Sequence, residues 1–465
     1  MEKQLKFIDL FAGLGGFHIA LSKLGCKCVF ACEIKEDLRD LYEENFHIKP
    51  AGDITKVDYK KIPQHDILCA GFPCQPFSQA GYRQGFDDEK GRGNMFYRIC
   101  DIIDAQGDKK PTYLLLENVA NLRGHDHGNT WKTIQKLLRE RGYDVKEEVL
   151  SPHQFGYPQH RKRIYIVGVR IDRGGLKGFE FPKPTDQPCN IKEIIDESET
   201  DIQTLKPETI SQLKKWQLFL KLAKAHNVSI PKFPIWAMEF GADYEFRLEA
   251  PYYQTFGELR RHRGKLGKAI NGQTKEECIA QLPIYAQSSK SEVFPNWKIT
   301  YIEKNRDFYQ KNKKWIDTWL SGIKHYSNSH MKFEWNVSTP DDIDINKYIV
   351  QFRASGIRVK DATFSPALNL VGTQVPILPG IKLPKSCIPN VSQETLEKYG
   401  LTKEDFTHGR YLSVKEAAKL QGMESLRFED EKVKLTKSRI YEALGNAVNT
   451  QVVKMIAEKL LKIEL

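Results

Sequence analysis

The chain has 465 residues, 40% of them hydrophobic, which is enough to form a sizeable core in two or more domains. A mean hydropathy of −0.51 and the lack of any run of eighteen apolar residues exclude a membrane-spanning protein. The formal charge of +11 favours a polyanionic partner, and nine cysteines without the spacing of a disulfide framework favour the cytoplasm.

The first third of the chain alternates short apolar runs with segments of helical periodicity. The predicted buried strands are Phe7–Phe11, Cys28–Glu33, Asp66–Ala70, Tyr113–Leu116 and Ile164–Val169. The predicted helices are Phe17–Leu24, Asp37–Asn45 and Thr130–Arg141. This alternation predicts a doubly wound α/β domain with a parallel sheet, which the proline-rich segment FPKPTDQP (181–188) closes.

A glycine-rich turn, DLFAGLGGF (9–17), lies between the first strand and the first helix. Gly13 and Gly15 allow the backbone to approach a ligand closely and to point amides at it. The dinucleotide fingerprint needs a small residue where His18 stands, which argues against a pyrophosphate. Glu33 can accept ribose hydroxyls and Asp53 an adenine amino group. The pattern favours a nucleoside ligand over a tight turn with solvated carboxylates.

A thiol and a carboxylate follow two later strands. Cys74 comes directly after Pro73 in AGFPCQPFS (70–78), and Glu117 ends the apolar run of LLLENV (114–119). A lone cysteine is usually a small core residue. However, a glutamate after three leucines on a buried strand is costly unless it is used. Because ligands bind at the carboxyl ends of such strands, the two together predict a nucleophile with an acid partner.

Arg161 and Arg163 alternate in QHRKR (159–163), just before the last predicted strand. Side chains two residues apart on an extended segment face the same way, so both guanidiniums can enter one site and donate to a carbonyl or a phosphate. A solvated basic edge is the alternative. We predict no metal site, since Cys26, Cys28 and Cys32 have no second ligand pair.

Residues 190–350 differ in composition from the first third. They hold six of the seven tryptophans, so the region is expected to be folded. Residues 201–340 contain 22 Lys and Arg against 14 Asp and Glu, which is a net charge of +8. Helical periodicity returns in SVKEAAKLQGM (413–423) and LGNAVNTQVVKMIAEKLLKI (444–463).

The chain carries six short motifs in an order that resembles the cytosine-5 DNA methyltransferases of bacterial restriction-modification systems. In chain order, the motifs are FIDLFAGLGGF, GDIT, AGFPCQPFS, ENV, QHRKR and GNAV. The resemblance covers residues 5–170 and resumes in 350–370 and 410–460. It implies a Rossmann-like S-adenosyl-L-methionine-dependent domain at 1–185, completed by about 410–465. It also implies a smaller target-recognition domain at 186–400, which includes the returning 350–370 motif.

The resemblance also implies residue roles. Catalysis would use Cys74, Glu117, Arg161 and Arg163, with Cys74 adding to the cytosine ring, Arg163 holding its carbonyl and Arg161 supporting the thiol-bearing loop. The cofactor site would comprise Phe11, Gly13, Gly15, Glu33, Ile34, Asp53, Ile54, Pro73, Asn446 and Val448. DNA contacts are expected from Gln75, Ser78, Arg260, Arg261 and Arg263.

The partners follow from the same resemblance. We expect double-stranded DNA as substrate, no membrane partner, a monomer, and a cytoplasmic bacterial location, with a cognate restriction endonuclease acting separately. Two rivals remain: an RNA methyltransferase of the same fold, similar to the enzymes that methylate a tRNA cytosine, and a silent nucleic-acid-binding protein. The first lacks support because no short Cys-Phe-Thr signature occurs in the second domain, and intact Cys74, Glu117 and Arg163 oppose the second.

Overall fold

The computed structural model describes residues 4–73, 95–185, 187–368, 374–429 and 434–462. The predicted roles of Cys74, Gln75 and Ser78 therefore lie outside the described residues. Contacts divide the chain into two compact units. The first unit comprises Met1–Ile195, Thr363–Thr373 and Ser413–Leu465, and the second comprises Asp196–Ala362 and Gln374–Leu412.

The strands, in chain order, are β1 (Lys6–Leu10), β2 (Lys27–Cys32), β3 (Ile67–Gly71), β4 (Tyr113–Val119), β5 (Tyr143–Leu150), β6 (Gln159–His160), β7 (Arg163–Arg170), β8 (Ile235–Trp236), β9 (Lys332–Asn336), β10 (Ile349–Arg353), β11 (Gly356–Lys360), β12 (Ser365–Pro366), β13 (Ile377–Lys382) and β14 (His408–Tyr411). The α-helices are α1 (Gly16–Ser22), α2 (Glu36–Phe46), α3 (Met95–Gln106), α4 (Asn129–Glu140), α5 (Pro207–Ala225), α6 (Phe256–Leu259), α7 (Lys275–Ala280), α8 (Asn296–Leu320), α9 (Gln393–Tyr399), α10 (Val414–Leu420), α11 (Lys437–Asn446) and α12 (Thr450–Leu460).

The first unit is built on a six-stranded sheet in the order β2-β1-β3-β4-β7-β5. Successive residues of each strand point to opposite faces, so Phe7 packs with α1 and α12, whereas Ile8 packs with α3 and α4. Helices thus cover both faces, and the prediction of a doubly wound α/β fold is confirmed. The core lies in two layers, one on each side of the sheet.

The expectation of a parallel sheet is wrong at one strand. The strands β2, β1, β3 and β4 run parallel, but β7 pairs antiparallel with both β4 and β5. β5 was not predicted, because its sequence YDVKEEVL forms no apolar run and its alternation of apolar and polar residues breaks at Glu147 and Glu148. The chain returns from β5 to β7 beside it without a crossover helix, and so reverses the strand direction.

The second unit has its own sheet, in the order β14-β13-β10-β11-β9-β8, and its own core with α5 and α8. Trp216 of α5 is fully buried and stacks on Phe333 of β9, with ring centroids 4.5 Å apart. Trp319 of α8 packs on the same indole at 4.8 Å. The tryptophans of this region are therefore core residues, with one exposed exception at Trp297.

One segment joins the first unit although the sequence assigned it to the second domain. Ser365 and Pro366 of β12 pair in parallel with Gln159 and His160 of β6. The backbone amide of Ser365 donates to the carbonyl of Pro158 at 2.8 Å. These bonds group the segment from Thr363 with the first unit.

Candidate active site

The glycine-rich turn joins β1 to α1 with an unusual backbone. Phe11 has a φ of 57°, a left-handed conformation that is rare for a bulky residue, and Gly13 and Gly15 have φ values of 52° and 76°. A Cβ atom on Gly15 would collide with the ring of Phe46. A Cβ on Gly13 would meet no described heavy atom within 4 Å. Gly15 is therefore required by packing, whereas Gly13 borders open space where a ligand can approach.

Glu33 follows β2 and ties this turn to α2. Its Oε2 accepts the backbone N–H of Gly13 at 2.9 Å, and its Oε1 accepts the N–H of Lys35 at 2.9 Å. Each carboxylate oxygen has two lone pairs, so each can accept one further bond. The carboxylate is buried but oriented by two amides, which suits it to a pair of ribose hydroxyls.

Asp53, the expected adenine ligand, is held by hydrogen bonds from Thr55. Oδ1 of Asp53 accepts the N–H and the hydroxyl of Thr55, at 2.9 and 2.7 Å. These bonds lower the pKa of Asp53, so the group stays ionised at neutral pH. The side chain of Ile54 is buried in the core, whereas that of Ile34 is 66% exposed.

Glu117 lies at the carboxyl end of β4, opposite Gly71 of β3. A Cβ atom on Gly71 would lie 4.0 Å from Oε2 of Glu117, so the carboxyl group stands over the end of β3, three residues before Cys74. Nε of Arg163 lies 3.0 Å from Oε1 of Glu117, although the contact lacks hydrogen-bond alignment. Burial raises the pKa of Glu117, and the charges of Arg163 and Arg161 partly oppose that rise.

Arg161 is buried and anchors the C-terminal part of the first unit. Its Nη1 donates to the carbonyl of Gly445 at 2.9 Å, and its Nη2 donates to that of Ala447 at 2.7 Å. Its Nε makes no hydrogen bond to any residue that the structure describes. Burial lowers the pKa of Arg161 to about 10, so it remains a cation at neutral pH. The guanidinium thus holds the GNAV segment, a role that its sequence position did not indicate.

The GNAV segment (445–448) brings Val448 to the centre of the site. A Cβ on Gly16 would lie 2.5 Å from Cγ2 of Val448, and one on Gly71 would lie 3.6 Å from its Cγ1. Val448 therefore packs against both the glycine turn and the end of β3. Asn446 is exposed, and its Nδ2 donates to the carbonyl of Glu442 in its own helix.

Sequence reasoning missed two buried contributions. Nδ2 of Asn118 donates to the carbonyl of Phe72 at 2.9 Å, which fixes the backbone just before Pro73. This asparagine stands in the quoted ENV motif but was assigned no role. Under the glycine turn, the Tyr42 hydroxyl bonds Nδ1 of His18 at 2.7 Å and Asp9 at 3.4 Å. The sequence offered one sign of this buried histidine: His18 stands where the dinucleotide-binding motif has a small residue.

The expected DNA-contacting arginines lie in the second unit, directly after α6. Arg260, Arg261 and Arg263 are all exposed. Among the described residues, no group of three or more His, Cys, Asp or Glu side chains is arranged to hold a metal ion. In the same part of the chain, no helix is long and apolar enough to cross a membrane.

Comparison with known proteins identifies the family. Residues 5–462 match the family model of the C-5 cytosine-specific DNA methylases. The chain belongs to this family. It is a cytosine methyltransferase that uses S-adenosyl-L-methionine as methyl donor, and DNA is its substrate class. The residues present fit this cofactor, because Glu33 has free acceptor capacity and Gly13 leaves room in front of the turn.

Individual relatives agree with the family model. The methylase is 39% identical to the type II methyltransferase M.DsaV of Dactylococcopsis salina over 258 residues, which is 56% of this chain and 70% of the relative. It is 44% identical to M.HhaI of Haemophilus parahaemolyticus over 191 residues, 41% of this chain and 57% of that relative. The chain thus spans little more than half of the second relative. The solved structure of the Entamoeba histolytica methyltransferase EhMeth matches 99% of this chain and 98% of its own, with a TM-score of 0.53 and 16% identity, and shares the fold.

Proposed function

We propose that this methylase transfers a methyl group to carbon 5 of a cytosine in a specific duplex DNA site, through a covalent adduct with Cys74. The observation that carries the proposal is the position of the buried Glu117 carboxyl over the end of β3, the strand that leads to Cys74. The ion pair with Arg163 and the cofactor turn at the end of β1 lie at the same edge of the sheet. Three chemical functions therefore converge on one edge.

Cys74 acts as the nucleophile. Carbon 5 of cytosine attacks an electrophile poorly, but addition of the Cys74 thiolate to carbon 6 converts the ring into an enamine. The bound cofactor supplies the electrophilic methyl group. After carbon 5 has accepted the methyl group, its hydrogen leaves as a proton and the carbon–sulfur bond breaks, which restores the aromatic ring and frees Cys74.

Glu117, protonated or sharing its proton with ring nitrogen 3, stabilises the charge that develops there in the adduct. A carboxyl group whose pKa is raised by burial is more often protonated than an exposed one, so it can donate this hydrogen bond. Arg163 faces the same carboxyl group and holds the cytosine carbonyl with its remaining N–H donors. Arg161 keeps Val448 packed against the cofactor turn.

The cytosine leaves the helix before it reacts, because a thiol cannot reach carbon 6 of a stacked and paired base. The second unit selects the target. Its +8 charge over residues 201–340 supplies phosphate contacts, and Arg260, Arg261 and Arg263 are among them. Gln75 and Ser78 contact DNA from the catalytic unit. The methylase works as a monomer and protects host DNA from a cognate endonuclease that acts separately.

Duplex DNA that contains 5-fluorocytosine tests the nucleophile. Fluorine cannot leave as a proton, so the wild-type protein with S-adenosyl-L-methionine should form an adduct that survives denaturing electrophoresis. Cys74→Ser should form no adduct and transfer no methyl group, while Cys387→Ser, at a partly exposed thiol of the second unit, should behave as the wild type. Undiminished methyl transfer by Cys74→Ser would refute the role of Cys74 as the nucleophile.

Bisulfite sequencing of DNA from a host that expresses the chain identifies the site. Conversion-resistant cytosines at one recurring sequence are expected. The same assay on transfer RNA separates the rival RNA methyltransferase, for which methylation should appear in RNA and not in the genome. Loss of the host pattern in Cys74→Ser shows that this chain is its source.

A further inference from the structure

Two lysines of the second unit share one aromatic ring. Nζ of Lys332, on β9, lies 5.1 Å from the ring centroids of both Trp236 and Tyr285. Nζ of Lys298, in the first turn of α8, lies 6.0 Å from the Tyr285 ring and 4.1 Å from that of Phe294. We call Lys298 and Lys332 the lysine pair. Two like charges held on one ring repel each other, so a nearby negative charge would stabilise the pair.

Two other partly buried cations of this unit, both arginines, lie against carboxylates. Arg306 lies 2.9 Å from Glu239, and Arg353 lies 2.6 Å from Glu334. Within the described ranges of the chain, the lysine pair makes no ion pair, and its one hydrogen bond runs from Lys298 to the carbonyl of Tyr285 at 3.2 Å. Burial lowers the pKa of both lysines, and the charge of Lys298 adds to that effect on its partner.

The surroundings add positive potential and an exposed ring. The first turn of α8 has no acidic residue, so nothing there opposes the positive end of its helix dipole. Trp297, next to Lys298, is 57% exposed and packs edge-on against Tyr301. Cations interleaved with exposed aromatic rings are typical of surfaces that bind a nucleic-acid backbone. A phosphodiester is opposite in charge to the lysine pair, and the apolar face of its sugar can pack on the adjacent indole.

We propose that the lysine pair, with Trp297 beside it, is a second DNA-contacting site of this methylase, which binds a backbone phosphate of the duplex. The inference rests on the proposed function, since it takes the second unit as the part that holds DNA. It adds residues that composition did not single out, because Lys298 and Lys332 are 34 positions apart in the sequence and only the fold brings them together.

The test is the salt dependence of binding to a fluorescein-labelled duplex of random sequence, measured by anisotropy on the full chain. Binding through one phosphate contributes about 0.9 to the slope of log affinity against log salt concentration. The double variant Lys298→Gln with Lys332→Gln should bind about tenfold more weakly at low salt, with a slope shallower by about 1. The control, Lys314→Gln with Lys324→Gln, removes equal charge from exposed lysines at the other end of α8.

A double variant that keeps its circular dichroism spectrum and binds like the control would overturn the proposal. If the double variant does not fold, Lys298→Gln alone and Lys298→Arg replace it: loss in the first with retention in the second supports the site, and equal binding refutes it. Loss of RNA binding with unchanged duplex binding also refutes it. If the wild type binds duplex DNA but never methylates it, the proposed function is contradicted, whereas the proposed phosphate site is not.

Discussion

Replacing His18 tests whether the histidine that packs beneath the glycine-rich turn is uncharged in the folded protein. The imidazole is buried in α1, bonds the Tyr42 hydroxyl through Nδ1, and stacks on Phe46 with ring centroids 4.1 Å apart. Burial lowers the pKa of His18 from 6.5 to about 4. The variant His18→Asn keeps a polar atom near the hydroxyl but cannot titrate.

The size of the effect follows from that shift. As pH falls below 6.5, an unfolded chain protonates its histidine, but the folded chain does so only near pH 4. Stability that is present above pH 6.5 is therefore lost as pH falls through this window. Between about pH 7.5 and about pH 4.5 the loss is about 2 to 3 kcal/mol, at about 1.4 kcal/mol per pH unit.

Asp9 changes the pH dependence of stability in the opposite direction, so the stability of the wild type alone does not report on His18. Burial raises the pKa of Asp9 well above its usual value, so its contribution to stability is fully present below the unfolded pKa and is lost as pH rises through the folded pKa. The raw pH profile of the wild type is the sum of both groups. Only the difference between wild type and His18→Asn isolates the imidazole.

Urea unfolding at several pH values, followed by far-ultraviolet circular dichroism, measures this difference. Because the protein has two units, the transition to analyse is the one that S-adenosyl-L-methionine shifts to higher urea. The variant's deficit at pH 7.5 should shrink by about 2 to 3 kcal/mol at pH 4.5. A deficit that is the same at both values would refute a neutral, buried His18.

Three further predictions concern the same unit. Glu33→Ala should weaken S-adenosyl-L-methionine binding by about 1–3 kcal/mol in calorimetry, and unchanged affinity in a folded variant would remove Glu33 from the site. Arg161→Met should lower the free energy of unfolding by about 3 kcal/mol, since two carbonyls lose a charged donor, whereas Lys162→Met should change it little. Gly15→Ala should lower the melting temperature more than Gly13→Ala, because both variants strain a left-handed backbone but only the Cβ at position 15 meets Phe46. Gly13→Ala should also reduce cofactor affinity, and equal melting temperatures would contradict this interpretation of the turn.

The sequence predicts the fold where the residues themselves carry the signal. β1 to β4 and β7 were found within one to three residues because buried strands read as apolar runs bounded by polar residues. The direction of β7 leaves no trace in composition, since an apolar strand packs equally well either way along a sheet. The partly exposed β5 was missed because half of its residues are charged and the adjacent Glu147 and Glu148 interrupt its alternation of apolar and polar residues.

The candidate site, like the fold, could be predicted from the sequence only in part. Motifs placed Glu117 and Arg163 at one edge, but the ion pair between them depends on the antiparallel register of β4 and β7. The two carbonyls that Arg161 binds lie 284 and 286 residues further along the chain, a distance over which no local pattern has predictive power. Asn118 was overlooked because its partner is a backbone carbonyl, which every residue offers.

The interrupted course of the first unit sets an order of events during synthesis. Its sheet is made early, yet α12 and the carbonyls that hold Arg161 belong to the segment Ser413–Leu465, which is made after the second unit. The second unit lies almost wholly between these parts, so it can fold while the first waits. A nascent chain can therefore complete its second unit before Val448 packs against the glycine-rich turn. A chain cut short before residue 413 therefore lacks the two carbonyls that Arg161 binds in the folded unit.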